Sequence, residues 1–291
     1  MSEIAREIAS QPACWRRAAE IGARDRATLP APGSRAAAVG CGTSWFIAQA
    51  YAALRGSLGQ GETDAFTASE APLDRPYPTV VAISRSGTTT EVARYLKQVH
   101  GPRRVAIVGV EGTPVTEAAD EVVPLTFADE RSVVQTRFAT SALAFLRASL
   151  DQDLGPAIED AERALEAPLP VEAAAVDHFV FLGVGWSIGL ANEAALKLRE
   201  AAQAWTESYP AMEYRHGPIS VAGPRSVVWA LGEVDGGVLD AAAATGATVV
   251  GGELDPMAEL IVIQRMAVAL AESRGLDPDR PRHLTRSVVL S

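Results

Sequence analysis

The feature that most restricts the fold of this chain is a recurring order: a short aliphatic run, a glycine- or hydroxyl-rich loop, then a helical pattern. Residues 36–39 lead into Gly40-Cys41-Gly42-Thr43-Ser44 and a helix to about residue 55. Residues 80–83 lead into Ser84-Arg85-Ser86-Gly87-Thr88-Thr89-Thr90 and a helix over 91–99. Runs at 104–110 and 122–125 read as further strands, followed by helical patterns at 132–149 and 155–166. After Pro168 and Pro170, residues 178–182 lead into Gly183-Val184-Gly185-Trp186-Ser187 and a helix to about residue 205. Residues 227–231 and 247–250 read as strands and 257–273 as a helix, and an opening helix is expected over 3–28, with Ile4, Ile8, Trp15 and Ile21 toward one side. Short apolar strands alternating with helices predict βαβ units, an α/β fold whose parallel sheets are flanked by helices. The proline-marked joint predicts a division into residues 1–165 and 166–291.

Gly40-x-Gly-x-Ser44 and Gly183-x-Gly-x-Ser187 lie 143 residues apart and occupy the same place in the two halves. The match is short, and βα turns favour glycine in general. A true repeat means a duplicated, doubly wound unit with ligand sites at the carboxyl ends of the strands.

A net charge of −10 with a pI near 5.0 argues against a nucleic-acid binder. It leaves room for an anionic small molecule held by backbone N–H groups and hydroxyls. Cys14 and Cys41 match no metal spacing and make no disulfide framework. The opening residues lack the basic and apolar segments of a signal peptide. No run reaches the roughly 20 apolar residues needed to cross a bilayer. A cytoplasmic protein is expected, with no metal and no organic cofactor.

Glycine lets a βα turn bend and brings N–H groups to an anion, and the helix behind it adds about half a positive charge. Thr43 and Ser44 are as readily explained as helix caps. The second loop differs, because five hydroxyls in seven positions exceed what one cap requires. Dinucleotide binding is disfavoured: Trp45 stands where the fingerprint needs its third small residue, and Ile188 does so in the second half. No P-loop pattern is present.

In the helix after Gly185, Glu193, Lys197 and Glu200 fall at i, i+4 and i+7 and share a face. The plain reading is a solvated salt-bridge row. The chemical reading pairs a carboxylate with His216, in Glu213-Tyr214-Arg215-His216-Gly217-Pro218, for proton transfer near neutral pH.

Taken together these motifs resemble the sugar isomerase (SIS) family: Gly42-Thr43-Ser44, residues 84–89, Ser132-Val133-Val134-Gln135-Thr136-Arg137, residues 193–200, residues 213–218 and Pro281-Arg282-His283-Leu284-Thr285-Arg286-Ser287. The resemblance runs from about residue 35 to the end and is to the phosphosugar-isomerising half of glucosamine-6-phosphate synthase and its stand-alone relatives. It implies two tandem flavodoxin-like subdomains and a homodimer. It implies that Ser84, Ser86 and Thr89 with Arg85, plus Thr43 and Ser44, bind a sugar phosphate, and that Val133 touches the sugar. Glu200 matches the base that shuttles a proton between C1 and C2, Lys197 the lysine beside it, and His216 a ring-opening histidine supplied by the partner subunit. Two departures qualify the implication. The chain has no glutaminase domain, so a glutamine-dependent reaction is not expected. Arg286 stands where the synthase has a Schiff-base lysine, and a guanidinium cannot act as an amine nucleophile.

The expected activity is therefore a phosphosugar isomerase or amino-sugar-phosphate deaminase acting on a hexose 6-phosphate. A fructosamine-6-phosphate deglycase-type enzyme would use the same residues. The other alternative is a non-catalytic sugar-phosphate-binding regulatory protein, disfavoured by the retained Lys197, Glu200 and His216 and by the lack of a helix-turn-helix module.

Overall fold

In the computed structural model, which describes residues 2–290, the aliphatic runs are strands and the patterned stretches between them are helices. The first part of the chain runs α1 (Glu3–Ala9), α2 (Gln11–Arg24), β1 (Ala36–Gly40), α3 (Thr43–Ser57), β2 (Thr63–Thr67), β3 (Thr79–Ser84), α4 (Thr90–Gln98), β4 (Arg103–Val108), α5 (Pro114–Ala118), β5 (Glu121–Pro124) and α6 (Arg137–Ser149). It continues α7 (Gly155–Glu166), β6 (His178–Gly183), α8 (Ser187–Ala202), β7 (Trp205–Pro210), β8 (Ser226–Leu231), α9 (Gly236–Ala244), β9 (Thr248–Gly251) and α10 (Pro256–Ser273). Every strand pairing is parallel, in two sheets ordered β2-β1-β3-β4-β5 and β7-β6-β8-β9. This is the expected α/β architecture of two parallel sheets flanked by helices.

The chain divides into two units. One comprises residues 13–154 and 285–290 around the five-stranded sheet; the other comprises 2–12 and 155–284 around the four-stranded sheet. The expected boundary at 165/166 is displaced because α7 packs on α10 through Ala157, Ile158, Ala161 and Ala164, and α1 packs on α10 as well. Neither attachment leaves a trace in local sequence pattern.

In the five-stranded unit, β1 and β3 are buried along their whole length. Their continuous Ala/Val/Ile character follows from having helices on both faces. Val92 and Leu96 of α4 and Val115 of α5 close one face over Val80, Ala82 and Val108. In the four-stranded unit Val180 and Leu182 pack with Tyr214, Val228, Val238 and Ala242. Each such buried aliphatic side chain contributes on the order of 1.5–3 kcal/mol of apolar burial.

The short repeat has a steric cause. Gly40 and Gly183 end β1 and β6, and a Cβ on either would lie 2.6 Å from backbone of the helix that follows, at Ser44 and Ile188 respectively. The second glycines, Gly42 and Gly185, have φ of 55° and 57°, a left-handed conformation open to glycine at little cost. Each pair lets a helix begin directly over a strand end.

Four local expectations change. The opening helix is two, α1 and α2, because Pro12 lacks the N–H needed to continue the ladder from α1 but suits a first helical turn. The helix expected from 132 begins at Arg137. The helix expected to reach 205 ends at Ala202, where Gln203 takes a left-handed φ of 53° and donates its N–H to the Arg199 carbonyl. The segments 63–67 and 205–210 are the strands β2 and β7, each at an edge of its sheet.

At the other edge of the four-stranded sheet, β9 is only four residues long. Gly251 and Gly252 then turn with φ of 85° and 90°. The Gly252 N–H and the Trp229 indole N–H both donate to the buried Glu259 carboxylate, at 3.1 Å each. Among the described residues, no helix is long and apolar enough to cross a membrane.

Gly40→Ala and Gly183→Ala should each lower the free energy of unfolding by about 1–3 kcal/mol through overpacking. Gly56→Ala, in α3 with open space around it, should be neutral or slightly stabilising. Urea denaturation midpoints of the three variants give the comparison.

Candidate functional site

In a parallel sheet ordered β2-β1-β3-β4-β5, connections run outward in one direction from β1 and in the other from β3. The loops that leave the carboxyl ends of β1 and β3 therefore flank the crevice at the topological switch point. These loops carry Thr43-Ser44 and Ser84–Thr89. Thr43 and Ser44 are buried in the first turn of α3, and Gly42 is the N-cap. The reading of these two hydroxyls as caps is thus corrected.

The loop after β3 is a chain of local turns. Ser84 Oγ accepts the Gly87 N–H at 3.2 Å, and Ser86 Oγ accepts the Thr88 N–H at 3.2 Å and the Thr88 hydroxyl at 3.1 Å. Such side-chain-to-backbone bonds fold a hydroxyl-rich loop back on itself. Gly87 is required: its φ is 66°, and a Cβ there would lie 2.1 Å from Thr113 Oγ1. Thr89 is the N-cap position of α4 and makes no side-chain capping bond. Burial, with the nearby Glu91 carboxylate, pushes the Cys41 thiol up to about 11. The loop after β1 therefore presents no thiolate at neutral pH.

Arg85 points into the protein. Its side chain is 1% exposed; Nη1 donates to the Ser132 carbonyl at 2.9 Å, Nη2 to the Arg286 carbonyl at 2.7 Å, and the Glu130 carboxylate lies 3.9 Å away. Glu130, unremarked in the sequence, is fully buried and organises the next loop. Its Oε1 accepts the Thr136 N–H at 2.6 Å, the Thr136 hydroxyl at 2.7 Å and the Arg137 N–H at 2.9 Å. Glu130 caps α6 from outside the helix, which is why 132–136 is a loop. Half-buried Val133 sits in it. Arg286 donates from Nε to the Glu130 carbonyl at 3.0 Å and from Nη2 to Asp129 at 2.5 Å.

The matching switch point of the four-stranded sheet lies between β6 and β8, and there the hydroxyl is consumed. Ser187 Oγ accepts the Val184 N–H at 2.8 Å and donates to the Leu231 carbonyl at the end of β8 at 2.6 Å. One copy of the repeat thus ties its two loops together; the other lines its crevice with several hydroxyls.

On α8, the Glu193–Lys197–Glu200 face is not a solvated row. Glu193 is 0% and Lys197 1% exposed. Lys197 Nζ lies 3.3 Å from Glu193 Oε1 and 2.5 Å from Glu200 Oε2, and the Glu200 side chain keeps 19% exposure. A buried ammonium must be compensated, and two carboxylates do so here. The result is one accessible carboxylate oriented by a cation behind it. Spacing had placed all three on one face, but it could not tell that Glu193 and Lys197 are buried while Glu200 keeps some exposure. His216 is exposed at the end of a 3₁₀ segment, Ala211–His216. The structure thus gathers Thr43, Ser44, Ser84, Arg85, Ser86, Thr89, Val133 and Arg286 in the five-stranded unit. Lys197, Glu200 and His216 lie in the four-stranded one. Among the described residues, no group of three or more His, Cys, Asp and Glu is placed to hold a metal ion.

Lys197→Met should cost about 3–5 kcal/mol, the usual range when one partner of a buried ion pair is removed. Glu193→Gln added to Lys197→Met should recover part of that loss, as read from thermal and urea unfolding. Single and double variants of equal stability would count against the clamp.

No family model matches the chain. A glutamine–fructose-6-phosphate aminotransferase [isomerizing] of Aeropyrum pernix is 29% identical, over 98% of this chain and 57% of its own length. The chain spans about half the length of the curated relatives it matches. Among solved structures, a glucosamine-6-phosphate deaminase from Thermotoga maritima superposes with a TM-score of 0.85 at 23% identity, covering 99% of this chain and all of the other. A tagatose-6-phosphate ketose/aldose isomerase from Escherichia coli gives 0.79 at 20% identity, covering 98% and 95% of the two chains. In sequence over most of its length, and in fold over nearly all of it, the chain resembles the sugar isomerase (SIS) proteins whose motifs it carries.

Proposed function

We propose that this protein is a phosphosugar isomerase or amino-sugar-phosphate deaminase that moves a proton between C1 and C2 of an open-chain hexose 6-phosphate. The observation that carries the reading is the accessible Glu200 carboxylate backed by the buried Lys197 ammonium. A base at carbon needs an oriented carboxylate, and Lys197 Nζ, 2.5 Å from Glu200 Oε2, orients this one. The crevice hydroxyls of Thr43, Ser44, Ser84, Ser86 and Thr89 supply directional donors for a phosphate ester. Arg85, with both Nη atoms on backbone carbonyls, supports that loop from behind.

Glu200 takes the proton from C2 of the aldose and returns it to C1 of the enediol, giving the ketose. With a 2-amino sugar the same transfer gives a ketimine, which takes up water and releases ammonia and fructose 6-phosphate. His216 opens the sugar ring by moving a proton between the ring oxygen and the anomeric hydroxyl, and it does so in the partner subunit of a homodimer. Arg286 carries a guanidinium where an imine would need an amine nucleophile, so no imine forms on it. The names of the two structurally similar proteins, a deaminase of glucosamine 6-phosphate and an isomerase of tagatose 6-phosphate, support a 6-phosphorylated hexose as substrate.

The test is a panel of hexose 6-phosphates and their 2-amino derivatives, followed by ammonia release and aldose/ketose ratio. Turnover of at least one should fall about 10²–10⁴-fold in Glu200→Gln. Binding across the panel without any turnover would overturn the enzymatic reading. Mixed Glu200→Gln and His216→Ala protomers, each inactive alone, should regain about a quarter of wild-type activity if each site draws on both subunits of a twofold dimer.

A further inference from the structure

At the amino ends of the strands, opposite the crevice, the five-stranded unit contains a cavity of about 330 Å³. It lies where the chain approaches β1, β2 and β4, and Leu29, Pro30, Pro32 and Leu150 give it an apolar wall. The volume is at the small end of the range usual for ligand pockets, about 300–1,000 Å³. Buried Arg55 braces this wall. Its Nη2 donates to the Ala31 carbonyl at 3.1 Å and to the Gln60 carbonyl at 2.5 Å, and its Nη1 donates to Thr63 Oγ1 at 2.6 Å. Tyr51 also lines the cavity, eight residues and so about 12 Å along α3 from Thr43. Tyr51 is 0% exposed, yet among the described residues its hydroxyl has no hydrogen-bond partner. A buried hydroxyl left unpaired is costly to keep and calls for a cause.

We propose that this cavity is a second binding site, separate from the crevice, for a small monocarboxylate with an apolar body and a hydrogen-bond acceptor at its other end. The acceptor takes the Tyr51 hydroxyl. Burial pushes that phenol's pKa up, so it donates at neutral pH. The apolar body lies against the leucine and proline wall. The carboxylate meets the guanidinium groups of Arg26 and Arg103, which line the same cavity with side chains 48% and 33% exposed. Arg26 engages Asp151 through Nη1 at 2.5 Å and the Ala23 carbonyl through Nε at 3.3 Å, which leaves Nη2 for a ligand. The charged side chains of the lining are these two arginines and Asp151, so the cavity favours an anion over a cation. Asp151 already pairs with Arg26, and Glu121 accepts from Arg103 Nη1 at 2.7 Å. That compensation suits a single negative charge better than a phosphate dianion, so the ligand differs in class from the one read for the crevice.

The experiment titrates the full chain by calorimetry with three probes: 4-hydroxybenzoate, benzoate, which lacks the acceptor, and 4-hydroxybenzamide, which lacks the charge. 4-Hydroxybenzoate should bind with a Kd of about 1 mM or below. Each of the other two should bind about tenfold more weakly. Tyr51→Phe should weaken 4-hydroxybenzoate about tenfold and leave benzoate unchanged, a split that a merely structural hydroxyl would not produce. Because this variant removes an unpartnered group, its thermal midpoint should equal or exceed that of the wild type. The proposal is overturned if 4-hydroxybenzoate does not bind, if Tyr51→Phe weakens both acids equally, or if 4-hydroxybenzamide binds as tightly as the acid. A midpoint several degrees lower in Tyr51→Phe overturns it too, since the hydroxyl would then be held by the protein itself.

Discussion

The Arg85 guanidinium, 1% exposed, links three stretches of the five-stranded unit that are far apart in sequence: the loop after β3, the loop before α6 and the segment around Arg286. Desolvating that cation costs several kcal/mol, and backbone carbonyls together with Glu130 repay it only when all three stretches are in place. Glu130 is in turn fixed by the first N–H groups of α6. The positions of the crevice hydroxyls thus follow from one charge that has nowhere else to go. An arginine in a hydroxyl-rich loop invites the thought that it grips an anion. Here it holds the loop that could do so.

The four-stranded unit uses a buried cation differently. Lys197 is as deeply placed as Arg85, yet its partners are side-chain carboxylates on its own helix rather than carbonyls of distant loops. A guanidinium offers several donors in a fixed fork and suits bracing; an ammonium is a point charge and suits tuning a neighbouring group. The two copies of the glycine-x-glycine-x-serine turn have diverged along the same line. Ser187 bolts its switch point shut by bonding to Leu231, whereas the loops around Thr43 and Ser86 keep theirs lined with hydroxyls.

What the sequence disclosed follows from where the causes lie. Strands such as β3 and β6 are buried on both faces and announce themselves as apolar runs. β2 and β7 carry Asp64 and Glu207 at sheet edges, lack such a run and stay invisible until their neighbours are known. Gly40 and Gly183 were readable because the helix–strand clash they relieve lies only a few residues away. The start of α6 was not, because its cap is the side chain of Glu130, outside the helix. Nor was the attachment of α7 to α10, which is purely tertiary. For the candidate site, spacing put Glu193, Lys197 and Glu200 on one face but could not distinguish a wet face from a dry one. The role of Glu130 needed coordinates, since its carboxylate also lies 3.9 Å from Arg85, distant in the chain.

The short β9 strand bears on how this molecule avoids its own kind. An open sheet margin invites a foreign strand to extend the ladder. This one ends after four residues, where two left-handed glycines bend the backbone out of the strand conformation, and the next free amide is already claimed by Glu259. Burial raises the proton affinity of that carboxyl group, but either protonation state retains an oxygen able to accept. The margin therefore stays blocked over a wide range of acidity. A sheet with one strand fewer than its sibling can thus remain unextended without a cover.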